Sequence, residues 1–471
     1  MRLLFLLLTL ALAGGVLVQA GPALADQGDI EVVAVGAENQ FPDGVKFTIT
    51  ARSSEDIDEI RVFFKKVGQS GVSAYRTVEF EPGTLVNGES ILRSGSGADF
   101  FPPGTRIEFS FEIRDKGGAV FRTPDQDYLY SDNRFEWLSV NSGLVTVYYY
   151  GEYVEERAKT VLEAAEGAME RMVPLLGIEP TEPLRIVSYN NYRHMSSALP
   201  FRAQAVREQL VTQGMAFTNE RVLLVHGFDP TVMGTASHEF THLLVAEAAG
   251  RASSRVPSWL NEGLAEYGNI DPTDSYDAAL RYGIFTRRLK PLWYLDSFGG
   301  TPDDIVIAYG QSRSVVGYLI GRYGPDKMAE LFRVLQQTLD IDAAMEQVYG
   351  FDQYGLDTEW RIAISLEPLP PPGELEHQLQ EEPTTTSEPA AAQEPTPTAE
   401  PTATPKPTPM AEPTRVAPAG DEGEPAPSPG GCSAPIHGGE GPAPLGLGAL
   451  MLLGAPLGLM SFQALRRWRG V

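Results

Sequence analysis

A short stretch of the chain carries two histidines and a glutamate at a spacing that suits a metal ion. His238, Glu239 and His242 form a His-Glu-x-x-His group within residues 235–245, whose sequence predicts a helix. On a helix, residues four apart lie on the same face, so both imidazoles can reach one ion while Glu239 projects beside them. Catalytic zinc takes three protein ligands and keeps a fourth position for water. The pattern therefore predicts a zinc site that needs a third ligand.

The segment that follows supplies the strongest candidate for this third ligand. Residues 257–267 predict a second helix, and residues 251–256 predict the loop that folds it back on the first. Glu262 and Glu266 are four apart on this helix, so both carboxylates share a face. We predict that Glu262 completes the ligand set with His238 and His242, giving Zn²⁺ two neutral imidazoles and one carboxylate.

The two motifs together resemble the gluzincin metallopeptidases, the thermolysin-like and aminopeptidase-like enzymes of the peptidase MA type. The resemblance covers roughly residues 140–364, and Asn261-Glu262-Gly263 matches the Asn-Glu pair that carries the third ligand in that group. It implies an α+β metallopeptidase domain, Zn²⁺ as the cofactor and a peptide or protein as the substrate.

Glu239 and Glu266 have chemical roles in such a site. Glu239 is poorly placed to ligate the same ion as its helix neighbours, but it can take a proton from the zinc-bound water and pass it to the leaving amine. Glu266 is suited to accept the free N–H of a ligand histidine and fix its tautomer. The alternative for Glu266 is a solvated glutamate on an exposed helix face.

The resemblance also implies an oxyanion donor, which in aminopeptidase-like gluzincins is a tyrosine at the start of a later helix. Tyr309 opens such an apolar helical stretch here, although Gln311-Ser312 replaces the usual Lys-Gly after the tyrosine. We predict Tyr309 as this donor. A core or rim tyrosine is the alternative.

Upstream of the histidines, Gly214-Met215-Ala216 stands where related enzymes place the edge strand that pairs with the substrate backbone. The glutamate that captures a free amine in aminopeptidases is missing from this stretch, which leaves endopeptidase or carrier-specific cleavage open. We interpret Glu220 as an ordinary turn carboxylate, the alternative being that it substitutes for the missing glutamate. We interpret His226 as structural or substrate-lining and not as a ligand.

Around this unit the sequence predicts several further regions. Residues 1–25 have the features of an export signal peptide. Residues 26–138 predict an all-β domain, since residues 106–114 alternate apolar and polar side chains and Gly-containing turns separate the strands. An immunoglobulin- or fibronectin-like sandwich fits this spacing. Its role as spacer, substrate-binding domain or support is left open.

Residues 139–366 predict the gluzincin-like zinc peptidase domain. It opens with a strand at 144–150, a long amphipathic helix at 152–176 and a second strand at 184–189, and it is mostly helical after Tyr309. A strand, a helix and a strand before the metal helices indicate the α+β upper half of a gluzincin.

The C-terminal quarter changes composition. Residues 367–440 are rich in Pro, Thr and Glu, which predicts a disordered stalk. Residues 441–465 are apolar enough to predict one transmembrane helix, and the basic residues 466–471 place its end in the cytoplasm. Cys432 lies in a short Gly-Gly-Cys-Ser stretch that could be a processing site, as an alternative to simple anchoring.

Composition narrows the function further. The net charge of −25 argues against a nucleic-acid partner, and a single cysteine excludes an intramolecular disulfide. The sequence as a whole predicts an exported, membrane-anchored bacterial zinc metallopeptidase whose catalytic domain is extracytoplasmic. A zinc hydrolase of a non-peptide amide and a catalytically inactive zinc-containing surface scaffold or adhesion protein are the alternatives. The oligomeric state is left open.

Overall fold

The computed structural model describes residues 30–67, 73–95, 99–152, 154–200 and 213–375. Within these residues the chain forms an N-terminal β-domain and then a mixed α/β and helical domain, in the predicted order.

Seven strands make up the β-domain, and the longest of them, β2, organises the rest. The first part of β2 pairs with β1 and β4, whereas its second part pairs with β3 and β5 after a register shift between Arg52 and Ile57. The strands are β1 (Glu31–Asn39), β2 (Gly44–Lys66), β3 (Ala74–Thr77), β4 (Gly83–Arg93), β5 (Arg106–Asp115), β6 (Val120–Arg122) and β7 (Gln126–Leu129).

The prediction of an all-β region is confirmed, and the alternating residues 106–114 lie within β5 with Ile107, Phe109, Phe111 and Ile113 buried. The immunoglobulin- or fibronectin-like sandwich stays a prediction. All seven strands join into one sheet, because the 23-residue β2 continues past its register shift and serves both parts. The two parts share one core, in which the rings of Phe47 and Phe109 lie 4.7 Å apart.

A second sheet of five strands opens the following domain, in the order β11-β12-β10-β9-β8. The three central strands β9, β10 and β12 run parallel, and the edge strands β8 and β11 run antiparallel to their neighbours. The strands predicted at 144–150 and 184–189 are confirmed. The five are β8 (Trp137–Ser142), β9 (Val145–Tyr150), β10 (Leu184–Tyr189), β11 (Gly214–Phe217) and β12 (Val222–His226).

Helices cover this sheet and form the remainder of the domain. The first, α1, packs against α3 and against β8 and β9, and the predicted helix at 152–176 is confirmed apart from its first turn. The helices are α1 (Glu155–Leu176), α2 (Tyr192–Ser196), α3 (Val232–Ala249), α4 (Ser258–Gly268), α5 (Ser275–Phe285), α6 (Pro302–Tyr323), α7 (Asp326–Thr338), α8 (Ile341–Tyr349) and α9 (Gln353–Ala363).

Two glycines allow α4 to lie unusually close to its neighbours. A Cβ at Gly263 would lie 2.5 Å from the carbonyl oxygen of Ser312 on α6, and a Cβ at Gly268 would lie 2.1 Å from Oγ1 of Thr241 on α3. Both separations are far shorter than van der Waals contact. The position of α4 against α3 and α6 therefore depends on the missing side chains.

Several predicted regions lie outside the described residues. These are the signal peptide at 1–25, the membrane span at 441–465, the basic tail at 466–471, Cys432, and the stalk beyond residue 375. Among the residues that the structure does describe, no helix combines the length and the apolar character needed to cross a membrane.

The close approach of α4 and α6 gives a stability prediction. Gly263→Ala should lower the thermal midpoint of unfolding, because the added Cβ meets a backbone oxygen that cannot move cheaply. Gly317→Ala is the matched control on α6, where a Cβ would meet nothing within 4 Å. Alanine is favoured over glycine by about 1 kcal/mol inside a helix, so the control should raise the midpoint. A similar rise in both variants, measured by calorimetry, would contradict the close packing.

Candidate metal centre and active site

The two predicted metal-binding motifs lie on adjacent helices. Helix α3 carries His238 and His242, and α4 carries Glu262. A 3₁₀ turn over Gly250–Arg255 reverses the chain between them, as predicted for residues 251–256. The ligand atoms of the three residues lie within 4.8 Å of one another. The structure thus brings the predicted ligand set together.

The Nδ1 atoms of both histidines have oxygen partners. The Nδ1–H of His238 donates to Oε1 of Glu266 at 2.7 Å, and the Nδ1–H of His242 donates to Oδ1 of Asn261 at 3.1 Å. When the rings are neutral and Nδ1 carries the proton, each Nε2 presents a lone pair. The Glu266 side chain is only 3% exposed, so the alternative of a solvated glutamate is excluded.

The donor set fits a zinc ion. The Oε2 of Glu262 lies 3.4 Å from Nε2 of His238 and 3.5 Å from Nε2 of His242. Tetrahedral ligands at about 2.0–2.2 Å from zinc are separated by roughly 3.3–3.6 Å. The same Oε2 is buried and has no hydrogen-bond partner. A buried carboxylate oxygen left without a donor is costly, and a cation between the three atoms removes that cost.

The electrostatics of this group favour a bound cation. Burial lowers the pKa of His238, but the adjacent carboxylates of Glu262 and Glu266 outweigh burial, so the net shift is upward. Burial raises the pKa of Glu262, but the neighbouring His242 and His238 outweigh it and hold this pKa well below its usual range. Both shifts show a site that stabilises positive charge beside its carboxylates.

Glu239 lies between the metal-binding group and the edge strand β11. Its Oε2 accepts a hydrogen bond from the backbone N–H of Ala216 at 3.1 Å. A Cβ at Gly214 would lie 2.9 Å from Cγ of Glu239, so this glycine lets the strand approach the glutamate closely. Gly214, Met215 and Ala216 form β11 with Phe217 and pair with β12. The sequence did not indicate the bond from Ala216 to Glu239, because no side chain of β11 takes part in it.

Tyr309 is not at the start of its helix, so that part of the prediction is wrong. Helix α6 begins seven residues earlier, at Pro302, where Thr301 and Asp304 form a capping box. The apolar stripe that begins near Tyr309 marks where α6 enters the core and not where it starts.

Aromatic rings nevertheless hold Tyr309 beside the metal-binding group. Its ring centroid lies 6.3 Å from that of His238, 5.4 Å from the stacked ring of Tyr276 and 5.1 Å from the edge-on ring of Phe298. Burial, followed by the negative charge of Glu262, raises the pKa of the Tyr309 hydroxyl, which therefore stays protonated. Tyr276 and Phe298 were not predicted, since they come from α5 and a loop without a motif.

Glu220 and His226, the two remaining residues of the sequence-based prediction, have different bonding partners. Glu220 is not an ordinary turn carboxylate, because its side chain is 7% exposed and bonds to Nζ of Lys66 in the β-domain at 2.8 Å. His226 ends β12, and its Nδ1–H donates to Oε1 of Gln213 at 3.0 Å. His226 is not part of the metal-binding group.

No curated protein matches this chain. Solved structures that match it include leukotriene A4 (LTA4) hydrolase from yeast in complex with bestatin, at 11% identity over 70% of this chain and 65% of that one, with a TM-score of 0.31. The native enzyme from Saccharomyces cerevisiae matches at 12% identity over 73% and 69% of the two chains, with a TM-score of 0.30. A bromine derivative of BhCBM56 matches at 16% identity over 23% and 99%, with a TM-score of 0.16. These scores are too low to establish a shared fold.

A family model gives the informative match. The model described as Peptidase MA superfamily matches residues 164–366, a segment that contains α3, α4 and the whole metal-binding group. This match agrees with the resemblance seen in the two motifs. Residues 164–366 of this chain are therefore similar to the peptidase MA superfamily.

Proposed function

We propose that this chain is a zinc-dependent metallopeptidase that hydrolyses peptide bonds in peptide or protein substrates. The observation that carries the proposal is the partly buried group of His238, His242 and Glu262, whose converging lone pairs include a buried carboxylate oxygen without a donor. The match of residues 164–366 to the Peptidase MA superfamily model supports the same chemistry. The proposed location, exported and anchored at a bacterial cell surface, rests on the sequence of the termini.

The ligand residues hold the cofactor, and the residues around them perform the proton transfers. Zn²⁺ held by His238, His242 and Glu262 would lower the pKa of a water ligand and polarise the scissile carbonyl. Glu239 accepts a proton from the attacking water and delivers it to the leaving amine. The amide of Ala216 fixes one oxygen of Glu239 and so orients the other toward this proton transfer.

The negative charge that develops on the oxygen of the scissile carbonyl needs a hydrogen-bond donor in addition to the cofactor. Tyr309 remains protonated at neutral pH and lies beside His238, so its hydroxyl can serve as that donor. Stacking against Tyr276 and edge-on contact with Phe298 limit the motion of the Tyr309 ring. Strand β11, at the edge of the sheet, is the element on which we place the substrate backbone.

Two other functions use the same donor set. An inactive scaffold would need the three ligands but not a carboxylate beside them, whereas Glu239 is held at the site by a backbone hydrogen bond. This observation favours an enzyme. A hydrolase of a non-peptide amide would use the same residues and would differ only in substrate.

Glu239→Gln should separate the enzyme from the scaffold. The amide cannot accept a proton, so hydrolysis of a peptide library should fall by a factor on the order of 10²–10⁴ while zinc content stays unchanged. Glu163→Gln, an exposed substitution on α1, is the matched control and should keep full activity. A wild-type protein that carries zinc but is as inert as Glu239→Gln on every peptide and amide offered would contradict the proposed enzymatic function.

Tyr309→Phe should test the proposed oxyanion donor. Loss of one such donor costs on the order of 10²–10³ in kcat, and KM should change little because the bond forms mainly in the transition state. Tyr318→Phe is the control on the same helix, since that hydroxyl bonds to Glu359. Lower thermal stability with normal turnover in Tyr309→Phe would mean that Tyr309 is a packing residue.

A further inference from the structure

The β-domain contacts the active-site domain through an ion pair between two poorly exposed side chains. Lys66 is the last residue of β2, and Glu220 lies in the turn between β11 and β12. Nζ of Lys66 lies 2.8 Å from Oε1 of Glu220, with side-chain exposures of 19% and 7%. A pair so shielded from water differs from a surface salt bridge, since loss of either partner leaves a charge in a poorly solvated place.

Apolar contacts accompany this ion pair on the same hairpin. The ring of Phe100 in the β-domain lies 5.5 Å from that of Phe217, the last residue of β11. Gly104, with φ +97, packs so closely that an added Cβ would lie 2.9 Å from Val187 and 3.1 Å from Val222. The β-domain therefore contacts the end of β11, the turn and the start of β12.

The opposite side of the turn is tied to the helix that carries the metal ligands. Arg221, with φ +57, donates through Nη2 to Oε2 of Glu247 on α3 at 2.9 Å. The buried Arg185 on β10 donates to the carbonyl oxygen of Glu220 at 3.2 Å. The turn is thus held between Lys66 on one side and α3 and β10 on the other.

The contacts at this turn bear on the active site, since β11 is short. Phe217, which touches the β-domain, directly follows Ala216, whose N–H donates to Glu239 at 3.1 Å. Within β11, Gly214 lies against the side chain of the same glutamate. A shift of the hairpin would move the partner of Glu239 and the strand proposed to bind substrate.

We propose that Lys66 is a positioning residue for catalysis and that the β-domain, through the Lys66–Glu220 pair, sets the position of the β11–β12 hairpin and thereby of Glu239. This role rests on the proposed peptidase function. It makes the β-domain part of the working enzyme and not a spacer, and it requires no contact between Lys66 and substrate.

Kinetics of the full-length protein provide the first test. Lys66→Met keeps the side-chain length but removes the ion pair with Glu220, so the turn loses its charged contact with the β-domain and should move toward water. We expect kcat to fall about tenfold or more, since small misplacements far from the chemistry can cost up to about 10²-fold. KM should rise as well, because β11 also binds substrate, and Lys66→Arg should restore most of the activity.

A matched control lies next to Lys66 on the same strand. Lys65 pairs with Glu108 inside the β-domain at 2.6 Å, so Lys65→Met removes a lysine charge without touching the hairpin. It should leave kcat and KM unchanged. Equal kinetics for Lys65→Met and Lys66→Met would overturn the proposal.

A double variant separates hairpin displacement from simple loss of the lysine. Lys66→Met with Glu220→Gln removes both charges of the pair, so the carboxylate that lost Lys66 is no longer present to draw the turn outward. Its kcat should lie nearer the wild-type value than that of Lys66→Met alone, which is the non-additivity expected of directly coupled residues. Additive losses in the two single variants would contradict positioning through this pair.

Hydrogen exchange gives a readout that does not depend on activity. Amides of residues 213–226 should exchange faster in Lys66→Met than in wild type or Lys65→Met, with α1 unchanged. Unchanged exchange across the hairpin would overturn the proposal even if the protein is an active peptidase. Faster exchange in a protein with no hydrolytic activity would retain the mechanical coupling and overturn the proposed function instead.

Discussion

Two imidazoles and three carboxylates crowd the junction of α3 and α4, and this concentration of negative charge is the constraint on which the rest of the structure depends. Glu266 and Asn261 bond to the Nδ1 atoms of the two histidines. The Nε2 atoms and the carboxylate of Glu262 therefore converge on one point. A buried carboxylate oxygen there has no donor. The arrangement is satisfied by a cation, and the neighbouring Glu239 is left free for proton transfer.

The surrounding fold brings these groups together without adding side-chain bulk. Gly263 and Gly268 let α4 approach α6 and α3, and Gly214 lets β11 approach Glu239. The parallel centre of the second sheet leaves β11 at the edge, where its backbone N–H groups can face the site. The β-domain contacts the same hairpin through Lys66, and strand β11 of that hairpin donates a hydrogen bond to Glu239.

The metal-binding group could be predicted because each of its members belongs to a local helical pattern. His238 and His242 are four residues apart, so helical geometry predicts their common face. Glu262 lies on the next helix after a short loop, where the resemblance to the gluzincins implies the third ligand. The residues that the sequence did not reveal act through long-range contacts. Tyr276 reaches Tyr309 from another helix, and no local pattern encodes that approach.

The same distinction applies to the fold. Alternation predicted that β5 is a half-buried strand, but strand pairing depends on contacts between distant segments, so the single sheet built on β2 could not be read from it. The apolar stripe predicts a helix that starts at Tyr309, because the stripe begins there. The helix in fact begins with a polar first turn after Thr301. The local sequence indicates an ordinary turn carboxylate at Glu220, because its partner, Lys66, is 154 residues away.

X-ray absorption at the zinc edge of the purified protein tests the central claim most directly. The account predicts about one zinc ion per chain, with two imidazole nitrogens at about 2.0–2.1 Å and oxygen donors at about 2.0–2.2 Å. In His242→Ala the same measurement should show loss of tight binding, because one of three ligands is gone. Full zinc occupancy in that variant, or a zinc-free wild-type protein after incubation with the metal, would contradict the assigned ligand set.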